Sequence, residues 1–161
     1  MNIVLDRWGT MKLKIQPTMI SVLVKDQEEA LSFYTEKLGL EKRLDVSFGP
    51  GLRLLTVAPK GQKRPEIALA MPDARLHGEE RVKELMEHAS KSDPWVFRTE
   101  NCVETYEMLC ARGIVFINEP TKQLYGVEAL FADPYGNTFM LLEASPEARA
   151  IIESRSIGSA A

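Results

Sequence analysis

Residues 19–40, MISVLVKDQEEALSFYTEKLGL, and residues 94–114, PWVFRTENCVETYEMLCARGI, are two passes through one pattern. In the first, Ile20, Val22 and Val24 alternate with Met19, Ser21 and Leu23 as a β-strand does, and Asp26 with Glu29 three residues on has the spacing of a helix capping box. Ala30, Phe33, Tyr34 and Leu38 then recur at helical spacing, and Gly39 stands where a helix end favours a left-handed residue. In the second, Trp95, Phe97 and Thr99 alternate with Val96 and Arg98, and Asn101 takes the capping place. Val103, Tyr106 and Leu109 mark the helix face, and Gly113 closes it. The two glycines are 74 residues apart, so the chain carries an internal repeat.

Each pass is followed by three strand-like stretches, 41–46, 52–58 and 65–71 after the first and 115–118, 127–132 and 138–143 after the second. Asp133-Pro134-Tyr135-Gly136-Asn137 has the residues of a tight turn. The reading is therefore α+β, with two β-α-β-β-β modules at 19–72 and 93–143. A sheet with a helix on one face leaves its other face needing cover, so the two modules are expected to form a curved, incompletely closed mixed sheet around a cavity. Residues 73–92 are polar with Leu76, Val82, Leu85 and Met86 at helical spacing, which predicts a linker helix carrying both histidines, His77 and His88, toward solvent. Residues 1–18 read as an arm with a short alternation at Met11, Leu13 and Ile15, and 144–161 as a closing helix over 146–154 and a tail.

The 161 residues are 45% hydrophobic and 27% charged, the balance of a soluble globular domain. A net charge of −3 lacks the basic footprint that phosphate-backbone binding needs, so nucleic acid is not an expected partner. No long apolar run suggests a membrane span or an export leader, and the expected location is the cytoplasm. Cys102 and Cys110, eight residues apart on one predicted helix, are too distant for a direct bridge and have no histidine close by to activate a thiolate.

At this point the residues resemble the vicinal oxygen chelate superfamily of glyoxalases, bleomycin-resistance proteins and extradiol dioxygenases. The resemblance rests on Phe131 to Phe139, similar to a closing F-x-D-P-x-G-N signature, and on Val24-Lys25-Asp26, Phe33-Tyr34 and Leu38-Gly39-Leu40 in the first module. Ala111-Arg112-Gly113 and Glu119-Pro120-Thr121 match in the second. For metalloenzymes of the family the resemblance implies four inward ligands, which carry over to Met19, Glu66, Pro94 and Met140. Two thioethers, a proline and one carboxylate do not hold a divalent ion, so no metal and no other cofactor is expected. The resemblance also implies a homodimer.

Strand alternation places Met19, Ser21, Leu23, Glu66, Val96, Arg98 and Met140 on the side opposite the helices, a mostly apolar wall with a few polar points, as small-molecule sites have. Tyr125, before the strand leading into the Asp-Pro turn, is positioned to lid that wall. Arg98 suits an anionic group and Glu66 a cation, or a base if catalysis occurs. The expected function is metal-independent binding of a small, partly apolar molecule. The alternative is a glyoxalase-like lyase or isomerase, or another enzyme of the superfamily, with an atypical site.

Overall fold

The computed structural model describes Arg7 and residues 15–157, so Met11 and Leu13 of the proposed arm lie outside the described residues. The first module runs β1 (Met19–Leu23), α1 (Gln27–Ser32) continued by a π-helical turn (Phe33–Lys37), β2 (Glu41–Ser47), β3 (Arg53–Ala58) and β4 (Glu66–Ala70). Asp26 caps α1 by accepting from the amides of Glu28 and Glu29. The wider final turn, in which the Leu38 amide reaches the Phe33 carbonyl, puts Phe33 and Tyr34 both into the core before Gly39 ends the helix at φ +82.

The linker differs from the single expected helix. It forms α2 (Ala74–His77) and α3 (Glu79–Ala89), because Gly78 at φ +78 turns the chain between them. Val82, Leu85 and Met86 are the half-buried stripe of α3, and both histidines are exposed. The second module follows as β5 (Trp95–Arg98), α4 (Cys102–Ala111), β6 (Val115–Phe116), β7 (Thr121–Gln123), β8 (Gly126–Ala132) and β9 (Thr138–Ala144), then α5 (Pro146–Ile157). Asn101 caps α4 through the Glu104 amide, and Gly113 repeats Gly39 at φ +83. The short β7 was not expected; it pairs with the start of β8.

The modules are wired alike. The sheets run β1-β4-β3-β2 and β5-β9-β8-β6, each opening with a parallel pair and continuing antiparallel, and they do not close into a barrel. One core serves both: Val22, Val24, Leu55, Val57, Ile67 and Leu69 from the first sheet join Ala129, Phe131, Phe139 and Leu141 from the second. Tyr34, fully buried, is edge-on to Phe139, and Phe97, Phe131 and Phe139 stack in turn. The helix-facing side of each strand is thus spent on the core.

Candidate functional site

The other side of each strand forms a broad face turned away from the helices. On the first sheet Met19 lies opposite Glu66, and Ser21 opposite Ala68; Leu23 and Ala70 continue the two rows. Thr56 lies opposite Ala68, with Leu44 opposite Thr56 and Val46 opposite Leu54. On the second sheet Val96 lies opposite Met140 and Arg98 opposite Leu142, with Glu128, Leu130 and Ala132 on the next strand. The face is apolar and open along its edge strands, where Val96 is 55% exposed, Met19 38%, Val46 41% and Ile117 58%, while Thr56, Ala58 and Ala68 on the central strands of the first sheet are buried. The expected site residues therefore fall into two groups, Met19, Ser21, Leu23 and Glu66 on one sheet and Val96, Arg98 and Met140 on the other, with Tyr125 in the turn that leads into β8. The sheets adjoin where the Asn137 amide donates to the Leu23 carbonyl at 2.8 Å.

Three polar points stand on this face. Buried Thr56 accepts from the Leu44 amide and donates to Glu66, which fixes that carboxylate on the sheet. Tyr125, 45% exposed, donates its hydroxyl to Glu128, and this hydrogen bond raises the phenol above its ordinary range. Arg98, at the end of β5, makes no hydrogen bond or ion pair among the described residues and does not meet Glu66. Sequence reasoning missed Thr56 and Glu128. Period-two alternation carried the signal, since Leu54-Thr56-Ala58 alternate with core Leu55 and Val57, and Glu128-Leu130-Ala132 with core Ala129 and Phe131.

Strand pairing corrects one carried-over position. The caps Asp26 and Asn101 are 75 residues apart, which sets Met19 against Pro94 and Ser21 against Val96. Val96 is opposite Met140 and Ser21 opposite Ala68, so the counterpart of Met140 is Ala68, two residues beyond Glu66. The glycine spacing of 74 does not carry through to the last strands, which are 72 apart, because the intervening turns differ in length. The four positions implied by the resemblance, once strand pairing is followed, are then Met19, Ala68, Pro94 and Met140, without one oxygen or nitrogen side-chain donor. The set does not fit a hard or borderline divalent ion. Among the described residues no group of three or more His, Cys, Asp or Glu side chains is placed to hold a metal.

On the helix side, Cys102 is not set up as a nucleophile. Cys102 is buried, and burial followed by the nearby Glu143 carboxylate pushes its thiol up, away from the reactive thiolate. Arg53 lies on the helix side between Glu28 and Asp45 rather than on the open face. The Asp-Pro turn joins the modules: Asp133 accepts from Tyr34 at 2.7 Å and from the Tyr135 and Asn137 amides at 2.9 Å, and Tyr135 donates to the Asp26 carbonyl and to Glu29. Burial first, then the Asp133 charge, drives the Tyr34 phenol far above its usual range, so it stays a donor at every working pH.

No helix among the described residues is long and apolar enough to cross a membrane. The chain is 34% identical over 124 residues to the YetH protein of Bacillus subtilis (strain 168), covering 77% of this chain and 94% of that one. The crystal structure of UcmS2 is similar with a TM-score of 0.75 at 36% identity, over 82% of this chain and all of that one. That of TnmS3, an antibiotic binding protein from Streptomyces sp. CB03234, is similar with a TM-score of 0.65 at 27% identity, over 83% of this chain and all of that one. Residues 14–141 match the model of the glyoxalase/bleomycin resistance protein/dioxygenase superfamily. The chain belongs to that superfamily.

Proposed function

We propose that this protein binds a small, partly apolar molecule on the open faces of its two sheets without a metal. The observation that carries the reading is the chemistry of the four family positions: Met19, Ala68, Pro94 and Met140 replace a ligand set with polarizable and apolar groups on a face already rich in exposed aliphatic side chains. The likeness to TnmS3 supports a binding role. Glu66 held by Thr56, and Glu128 held by Tyr125, supply fixed polar points against which a ligand's polar end is oriented.

The open face of one chain gives a wall but not an enclosure. Val115 at 73% exposure and Ile117 at 58% extend the apolar strip to the sheet edge, and such strips are covered when two copies associate. The proposed working form is a homodimer in which one copy roofs the other's sheets. Light scattering is expected to give twice the chain mass of 18.1 kDa. A species of one chain mass at micromolar concentration rejects the dimer. Elemental analysis is expected to find no stoichiometric transition metal, and one zinc, nickel, iron or manganese per chain rejects the metal-free reading.

A second reading is favoured by one contact, the Thr56 hydroxyl on Glu66, which holds a carboxylate ready to abstract a proton from a bound substrate. Glu66→Gln separates the two: an enzyme loses turnover while still binding, whereas a binding protein has no turnover to lose and shows only a change in affinity.

A further inference from the structure

On the helix side, away from the open faces, a cleft of about 280 Å³ lies on the seam between the modules. Its floor is apolar, with Phe97 and Leu109 at the base, and the Thr99 and Thr105 hydroxyls, 2.7 Å apart, give one wall a polar point. Two cations line it, Lys60 on the turn after β3 and Arg98, whose register is on the open face but which borders the cleft from the end of edge strand β5, and no carboxylate does. Neither cation has a hydrogen-bond or ion-pair partner among the described residues. The turn bearing Lys60 is held in place, because Arg43 donates to the Pro59 and Gln62 carbonyls at 3.1 Å each.

An apolar floor under two unpaired cations is complementary to a molecule with an apolar body and a negative end. A volume slightly below the roughly 300 Å³ at which drug-sized pockets begin limits the occupant to a short chain or a single ring. We infer that this cleft is a second small-molecule site, for a short amphipathic carboxylate whose tail rests on Phe97 and Leu109 and whose head lies between Lys60 and Arg98. The inference goes beyond the open-face reading and shares only Arg98 with it.

The test is an NMR titration of the isotope-labelled full chain with hexanoate, with hexanol and hexylamine as neutral and cationic controls. Hexanoate is expected to shift the amides of Phe97, Thr99 and Leu109 saturably, to bind more weakly as salt is raised, and to bind more tightly than either control. Lys60→Glu, on an exposed turn and without consequence for the core, should weaken hexanoate about tenfold, the effect of losing one hydrogen bond to a charged group. Thr105→Trp, which fills the cleft, should abolish the shifts, whereas Met140→Trp, which fills the open-face site, should leave them intact. Hexanoate affinity unchanged in Lys60→Glu, or lost in Met140→Trp, overturns the assignment, and the second result moves the carboxylate to the open faces.

Discussion

At the scale of single residues, Asp133 does more than close a turn. Its two oxygens accept from the Tyr34 hydroxyl, the Asn137 amide side chain and two backbone amides, and the same Asn137 side chain donates to Leu23 in the other module. Removing the hydroxyl in Tyr34→Phe leaves a buried carboxylate short of one donor. The cost is expected to be about 1–3 kcal/mol, read as a lower denaturation midpoint at unchanged m-value. Asp45 makes a different prediction. The Arg53 guanidinium, then Lys42, hold its carboxyl down to about 2 from 3.8. A depressed folded-state value means that this stabilisation is present above the unfolded value and is lost as pH falls toward 2. The thermal midpoints of wild type and Asp45→Asn should therefore converge as pH is lowered from about 5 to about 2, and a constant gap would show that Asp45 contributes nothing by charge. The Asp-Pro motif itself was plain in the sequence. Its partners were not, because Tyr34 lies 99 residues away and nothing in local spacing joins them.

Elements were legible where their signals are local. Caps at Asp26 and Asn101, helix ends at Gly39 and Gly113, and alternation along β1 all depend on a few neighbouring residues, and each stands in the fold as read. Strand register does not depend on neighbours, and for that reason a fixed sequence offset pointed to Glu66 where pairing points to Ala68. Trp95 shows the same gap: its register is on the core side, opposite Phe139, yet it is 45% exposed on the sheet's edge strand. Gly126 is the position where an element admits one residue type. Its φ is +146, and a Cβ there would lie 2.0 Å from the Glu143 carbonyl oxygen of β9. Gly126→Ala combines backbone strain with a collision against backbone and should destabilise by about 3 kcal/mol or more. Chemical denaturation measures this, and a loss under about 1 kcal/mol would mean that the β8–β9 register is looser than described.

Across the whole molecule, the two modules spend one side of their central strands on a shared core and turn the other side away from the helices, open along the edge strands. The core side could be counted from the sequence as periodic apolar residues. The openness of the other side could not, because it depends on how the two sheets lean on each other through Tyr34, Asp133 and Asn137. The reading of function rests on that open side being a ligand wall that needs no metal. It is tested most directly by titrating the uncharged apolar dye Nile red into chelator-treated protein, wild type and Met140→Trp, with dye fluorescence as the readout. Saturable binding is expected to survive the chelator and to weaken about tenfold or more in Met140→Trp, where the indole takes up the space. Binding that returns only when zinc or manganese is restored, or an affinity that Met140→Trp leaves unchanged, would contradict that reading.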